Sequence, residues 1–184
     1  ALLLAGVEPG DEVISTAMTA EPTNTSITQA GGKIVWADID SESGNIDPDS
    51  IEKLINKKTK AIVVVHYAGY LARMKEIMRI ASQYGVKVIE DCAHALGACY
   101  AGQFVGQEGD FALFSFQAIK HMTTVDGGFL LYKDSSLTEK AKRIRWFGML
   151  KGVPRTEIDL SIQGYKYNMS NVTAEIGLLQ LQHN

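Results

Sequence analysis

The run Ala-Ile-Val-Val-Val at residues 61–65 constrains the fold most, because five consecutive apolar residues leave a strand without a face for water. Uninterrupted runs of this kind are typical of parallel strands that helices cover on both faces. Three further segments, at residues 11–16, 33–37 and 86–90, are short and rich in β-branched residues, which is also typical of strands. We therefore expect these four segments to be buried strands of a mostly parallel sheet.

Segments with helical signals separate the predicted strands. A first helix is expected over residues 23–30, where its first turn can be capped by Thr23, Asn24 or Thr25. Asp47 followed by Pro48 marks a second helix start, and apolar residues recur at helical spacing over residues 74–81, before Gly85. This alternation predicts a three-layer α/β/α domain whose ligands lie beyond the carboxyl ends of the strands.

The pattern changes after residue 110. Short strands are expected at residues 111–116 and 128–132 without a long helix between them, and a last helix at residues 173–182. Residues 151–162 are irregular and polar, which predicts a loop that leaves the domain.

Composition excludes several classes of function. The 184 residues contain 21 acidic and 18 basic side chains, a formal charge of −3, and no basic block suited to nucleic acid. No apolar stretch approaches the roughly 20 residues of a membrane span. Only two cysteines are present, which fits a reducing compartment, and residues 1–6 lack the features of a signal peptide. We expect a cytoplasmic protein without nucleic-acid or membrane partners.

Several common catalytic motifs are missing from the sequence. It contains no glycine-rich dinucleotide or triphosphate loop, and no G-x-S-x-G nucleophile elbow. Its four histidines do not form a helical pair with an acid between them, so a zinc-hydrolase site is not indicated and no metal ligand is assigned.

Two segments remain that can carry chemistry. Asp91 follows the strand at residues 86–90, and Lys120 follows the strand at residues 111–116, 29 residues later. A carboxylate against a pyridine nitrogen and a lysine that reaches the aldehyde are what pyridoxal phosphate (PLP) chemistry requires. The spacing alone leaves two other interpretations open, because a strand-end aspartate can cap a helix and a loop lysine can be a solvated charge.

The sequence around both residues resembles a known family. The stretches IEDCAHALGACYAGQFVG and GDFALFSFQAIKHMTTVDGG are similar to the central motifs of the DegT/StrS nucleotide-sugar aminotransferases, PLP enzymes of the aspartate aminotransferase fold (fold type I). PGDEVIST, KTKAIVVVHYAGYLARMKEI and GYKYNMSNVTAEIGLLQL resemble the same family in the same order, so the match covers the chain. The resemblance is greatest to members that aminate a 4-keto sugar nucleotide for lipopolysaccharide sugars.

The resemblance implies roles for four residues near the cofactor. Lys120 takes the position of the Schiff-base lysine, which also moves the substrate proton, and Asp91 that of the acid at the pyridine nitrogen. His94 matches a position near the ring oxygen or ring face, although a hydrogen-bonded structural histidine remains an alternative. Ser115 matches a serine that donates to the cofactor phosphate.

Further positions concern the second subunit and departures from the family. Lys166 matches a residue, often asparagine, that contacts the phosphate of the neighbouring subunit, so a homodimer with shared sites is implied; a solvated lysine is the alternative. Asn168 stands where relatives often have arginine, and its role is open. Ala20 stands where relatives usually carry an aromatic residue over the ring, and alanine cannot stack.

The resemblance also implies a domain division. Residues 1–150 correspond to part of the PLP-binding large domain, and residues 151–184 to a loop and the start of the connection to a small domain. An amino-terminal segment and the small domain of the family are expected to lie outside this sequence, so residues 1–184 alone are expected to bind the cofactor poorly.

The expected activity is the transfer of an amino group from glutamate to a keto sugar nucleotide, in cell-surface polysaccharide or deoxyamino-sugar synthesis. A deoxysugar dehydratase of the same family is an alternative, but it carries histidine in place of the lysine, and here His121 is only the neighbour of Lys120. A non-catalytic relative that acts as a binding or assembly module is the third interpretation.

Overall fold

A computed structural model describes residues 1–183, except for the side chain of Arg155. Its main sheet has six strands in the order β2-β1-β3-β4-β7-β8, and the first five of these run parallel. The strands are β1 (Glu12–Ser15), β2 (Lys33–Trp36), β3 (Thr59–Val65), β4 (Lys87–Asp91), β7 (Phe111–Ser115) and β8 (Gly128–Tyr132). Strand β8 pairs antiparallel with β7, and a separate hairpin is formed by β5 (Cys99–Tyr100) and β6 (Gln103–Phe104).

Helices cover both faces of this sheet. They are α1 (Glu21–Gln29), α2 (Pro48–Leu54), α3 (Met74–Tyr84), α4 (Thr138–Arg145) and α5 (Asn171–Gln180). Apolar residues of α2 and α3 pack with one side of the central strands, whereas those of α1 and α4 pack with the other side. The predicted three-layer α/β/α architecture is therefore confirmed.

The strand predictions succeed best at the centre of the sheet. Residues 61–65 lie within β3, between β1 and β4, and all five are at most 7% exposed. Strand β2 differs from the expectation of a buried strand, because it is the outer strand of the sheet and Trp36 is 53% exposed. Sequence composition does not distinguish an edge strand from a central one when both are rich in β-branched residues.

The helix starts are partly as predicted. Asp47 caps α2 through a bond from the Asp49 backbone N–H, and Pro48 is its first residue. The predicted cap of α1 by Thr23, Asn24 or Thr25 is wrong, because α1 begins at Glu21 after Ala20. Pro22 favours this earlier start, since its fixed φ suits the first turn and it has no N–H to satisfy. The hydroxyl of Thr23 is thereby free for another partner.

The segment after α4 returns to the domain, contrary to the prediction of a loop that leaves it. The backbone N–H groups of Tyr165 and Tyr167 donate to the carbonyls of Ile144 and Arg145. Gly164 and Gly148 lie in close backbone contact there, where a side chain at either position would clash. The division at residue 150 stays a prediction. None of the described helices has the length and apolar character that a bilayer span requires.

We predict that Ile62→Ala lowers the free energy of unfolding of the intact protein by about 2–5 kcal/mol, because Ile62 is fully buried in the central strand. The matched control is Ile119→Ala, at a side chain that is 82% exposed, and it should leave stability nearly unchanged. Denaturant unfolding of both variants is the measurement, and equal losses would contradict the packing described here.

Candidate active site

The register of the sheet brings Asp91 and Ser115 to the same face at the carboxyl ends of β4 and β7. Asp91 pairs with Leu113 across the two parallel strands. Ser115 lies two residues beyond Leu113 and so points to the same face, roughly 7 Å further along the strand. The two side chains thus occupy neighbouring positions at one edge, where ligands of parallel α/β sheets bind.

Asp91 is held by two hydrogen-bond donors from the described part of the chain. Its side chain is buried, and one carboxylate oxygen accepts from Thr23 Oγ1 at 2.8 Å. The other accepts from the Ala93 backbone N–H at 3.1 Å. Each oxygen of a carboxylate has two lone pairs. The carboxylate is therefore fixed in orientation and retains the capacity to accept a hydrogen bond from a ligand.

Thr23 brings the amino-terminal end of α1 against Asp91. The hydroxyl of Thr19 donates to Thr23 Oγ1 at 3.0 Å, and Thr23 Oγ1 donates to Asp91. The amino-terminal end of a helix carries partial positive charge, which favours a carboxylate. Helix α1 therefore helps to hold the Asp91 carboxylate in position through Thr23.

Lys120 lies in the loop that joins β7 to β8, beyond the strand next to Asp91. The loop is closed by backbone bonds from Phe116 to Gly127 and from Thr124 to Phe116. Helix α5 packs against it at Gly177, where a β-carbon would come within 2.9 Å of the Thr124 methyl group. Within residues 1–183 the Lys120 ammonium group makes no hydrogen bond or ion pair. The loop is structured, and the amine that it carries is therefore available to a ligand.

Ser115 and His94 are partly exposed at the same edge. Ser115 Oγ accepts from the Gln117 backbone N–H at 3.3 Å, which leaves its hydroxyl hydrogen available to donate. His94 lies in the turn after β4, where Ala95 N–H bonds to Cys92 C=O. Its imidazole has no hydrogen-bond partner among the described residues, which disfavours the alternative of a hydrogen-bonded structural histidine.

Three further positions from the sequence analysis lie outside the strands that carry Asp91 and Ser115. Lys166 is exposed, and its backbone pairs with Trp146 at the end of α4, not with the strands that carry Asp91 and Ser115. Asn168 Oδ1 is buried without a hydrogen-bond partner in the part of the chain described. Ala20 is exposed immediately before α1, so no aromatic ring covers the site from that position.

A second polar cluster, which the sequence analysis missed, lies on the opposite face of β4. Glu90 and His66 are each 1% exposed, and Glu90 Oε2 lies 3.1 Å from His66 Nε2. His66 Nδ1 accepts from the Ala72 backbone N–H, so Nε2 carries the proton and donates to Glu90. Glu90 also accepts backbone N–H bonds from Gly106, Glu108 and Gly109. This carboxylate therefore fixes residues 106–109 to the strand that carries Asp91.

Burial and hydrogen bonds shift the pKa values of two groups in this cluster, Glu90 and Cys92. Burial raises the pKa of Glu90, but the hydrogen bonds from His66 and from the Gly109 and Gly106 N–H groups outweigh it, and the net pKa is lowered. Burial, followed by the charges of Glu90 and Asp91, raises the pKa of the Cys92 thiol. His66, Glu90 and Cys92 have their polar atoms within 4.8 Å of one another. With both imidazole nitrogens bonded and the thiol protonated, this trio is unsuited to a metal ion.

Comparison with known proteins places this geometry in a family. The sequence pattern of the DegT/DnrJ/EryC1/StrS aminotransferase family matches residues 1–184. The chain belongs to this family. The predicted resemblance is thereby confirmed.

Relatives within the family are similar along the whole chain. An uncharacterized protein, MJ1066, of Methanocaldococcus jannaschii is 40% identical and is matched over 98% of this chain and 49% of its own length. Among solved structures, the aminotransferase PseC of Helicobacter pylori is 34% identical with a TM-score of 0.90, over 98% of this chain and 49% of that one. The PLP form of Spr1654 of Streptococcus pneumoniae is 30% identical with a TM-score of 0.89, over 99% and 51%. The chain spans about half the length of these relatives.

We predict that Glu90→Gln destabilises this family member by about 2–4 kcal/mol at neutral pH, because an amide cannot accept all four bonds and leaves buried N–H groups unpaired. The pKa of Glu90 is lowered from 4.5 in the folded protein. Its contribution is therefore complete above pH 4.5 and is lost as the pH falls through the lower folded value. The stability difference between the two proteins should narrow in that acid range.

Thermal unfolding against pH is the measurement, with Glu139→Gln as the matched control. Glu139 is exposed and pairs with Arg143 on the surface, so its substitution should change stability little. A Glu90→Gln protein as stable as the control at neutral pH would show that the carboxylate does not anchor residues 106–109.

Proposed function

We propose that this chain forms the cofactor-binding part of a PLP-dependent aminotransferase that moves an amino group from glutamate to a keto sugar nucleotide. The observation that carries the proposal is the placement of Asp91 and Ser115 on one face of neighbouring parallel strands, with the loop of Lys120 directly after them. The product would serve cell-surface polysaccharide or deoxyamino-sugar synthesis.

The donor set of the site fits pyridoxal phosphate. A buried carboxylate with spare acceptor capacity, Asp91, suits a protonated ring nitrogen. An unbonded serine hydroxyl hydrogen, at Ser115, suits a phosphate oxygen, and an unpaired amine, at Lys120, suits an aldehyde. An acceptor at Asp91 and a donor at Ser115, at separate positions along one edge of the sheet, would suit two separate polar groups of the cofactor.

Bound PLP supplies an electron sink that stabilises negative charge on the adjacent carbon of the substrate. Asp91 would accept a hydrogen bond from the protonated ring nitrogen. Lys120 would hold the cofactor through its aldehyde and, as a free amine, would serve as the general base and acid for the proton at the substrate carbon. His94 lies beside Asp91 in sequence and is the candidate partner of the ring oxygen or ring face.

Named relatives support the substrate class. PseC takes part in the biosynthesis of pseudoaminic acid, and Spr1654, a putative sugar aminotransferase, has been solved in PLP and PMP forms. Alternation between these two forms of the cofactor is what transfer of an amino group requires. We therefore propose two features of these relatives for this chain: amination of a sugar, and a cofactor that alternates between the PLP and PMP forms.

The proposal includes a cytoplasmic homodimer with shared sites. Lys166 is exposed, and its backbone is anchored to Trp146, so its side chain is free to contact a second subunit. A lysine there would add a positive charge beside the doubly negative phosphate. Ala20, which leaves the ring uncovered from one side, would require another group for that role.

The first test is the absorbance of the intact protein with PLP. Wild type should show the band of a lysine-bound cofactor, and glutamate should bleach it. Lys120→Ala should lack the band entirely, because no amine then reaches the aldehyde, whereas Lys142→Ala, an exposed helix lysine, should keep it. A wild-type spectrum without the band would contradict the enzyme and support a binding module.

Substrate assays then separate the two enzyme classes. With glutamate and a panel of keto sugar nucleotides, wild type should release 2-oxoglutarate in step with aminated product. Loss of water from the sugar without consumption of glutamate would instead indicate the dehydratase.

The second test asks whether Lys166 serves the neighbouring subunit. We predict that Lys166→Ala weakens PLP binding and lowers activity at limiting PLP. In purified heterodimers of one Lys120→Ala chain and one Lys166→Ala chain, one of the two sites would then be fully wild type, so about half of the activity should return. No recovery would place Lys166 in its own subunit's site, and full activity of Lys166→Ala alone would make it a solvated surface charge.

A further inference from the structure

We propose that Thr23 is a positioning residue of the cofactor site, which holds the Asp91 carboxylate in the orientation that receives the ring nitrogen. The inference rests on the proposed function and extends it to a residue to which neither the sequence motifs nor the comparisons give a role. It is carried by one chain of hydrogen bonds from Thr19 to Thr23 to Asp91.

Thr23 behaves differently from the other hydroxyl residues of α1. Thr25, Ser26 and Thr28 each donate to a backbone carbonyl three or four residues earlier in the helix. This is the ordinary local bond of a hydroxyl inside a helix. Thr23 instead donates across 68 residues of sequence to Asp91. The hydroxyl of Thr23 thus donates to a residue of the candidate site and not to a carbonyl of its own helix.

The direction of this bond follows from the neighbouring contacts. A hydroxyl has one hydrogen to donate and two lone pairs to accept with. Thr23 Oγ1 accepts from Thr19 Oγ1 at 3.0 Å, which leaves its own hydrogen for Asp91 Oδ2 at 2.8 Å. Each bond of such a chain polarises the next, which strengthens the contact with the carboxylate.

Removal of the hydroxyl would affect the ligand through Asp91. Asp91 would keep the Ala93 N–H on one oxygen and lose the bond that fixes the other. The freed carboxylate can then rotate away from the direction in which a ring nitrogen approaches. The effect should therefore be specific to ligands whose ring contains that nitrogen.

The test uses the intact protein and pyridoxamine phosphate, which has no aldehyde and so reports only non-covalent contacts. Thr23→Val should weaken its binding about tenfold, as expected for a hydrogen bond to a charged group, and Thr23→Ser should restore it. Thr25→Val is the matched control on the same helix, because its hydroxyl donates to the Glu21 carbonyl of that helix, and it should bind as wild type.

A second ligand separates positioning from general damage. The analogue with a CH group in place of the ring nitrogen cannot use Asp91, so wild type and Thr23→Val should bind it with equal affinity. An equal loss for both ligands would overturn the inference in favour of a structural role, and so would Thr23→Val binding pyridoxamine phosphate as tightly as Thr25→Val. If wild type itself fails to bind pyridoxamine phosphate, the proposed function falls as well.

Discussion

The parallel pairing of β3, β4 and β7 is the constraint on which the rest of the structure depends. It sets Asp91 opposite Leu113, and the two-residue alternation of a strand then places Ser115 on the same face as Asp91. The strands are held in this register by a core in which Ile62, Val64 and Val88 are fully buried. A slip of one residue would turn every side chain of a strand to the other face and separate the candidate site.

The end of β4 carries two acids with opposite tasks. Glu90 faces the side of α3, where one imidazole and three backbone N–H groups use its accepting capacity and hold residues 106–109. Asp91 faces the side of α1, with two donors among the described residues and room to accept another bond. Glu90 therefore fixes residues 106–109, whereas Asp91, the next residue of the strand, can still accept a hydrogen bond from a ligand. The bonds of Glu90 also stiffen the backbone that carries Asp91.

Local patterns predicted the central strands well, because residues 61–65 form a continuous apolar run and residues 86–90 are rich in β-branched residues. The sequence also predicted that Asp91, Ser115 and Lys120 lie at or just beyond the carboxyl ends of strands. Side-chain contacts between distant segments carry no local signal. Thr23 therefore looked like a helix cap, and Glu90 like an ordinary strand residue, although its alternation with Val88 places it on a buried face.

The account turns on whether one cofactor ring is held by Asp91 and by Lys120 at the same time. A crystal structure of the intact protein grown with PLP measures this directly. We predict continuous electron density from Lys120 Nζ to the cofactor, with the ring nitrogen within hydrogen-bond distance of the Asp91 carboxylate. A cofactor bonded to another lysine, or a ring nitrogen that faces away from Asp91, would contradict the account.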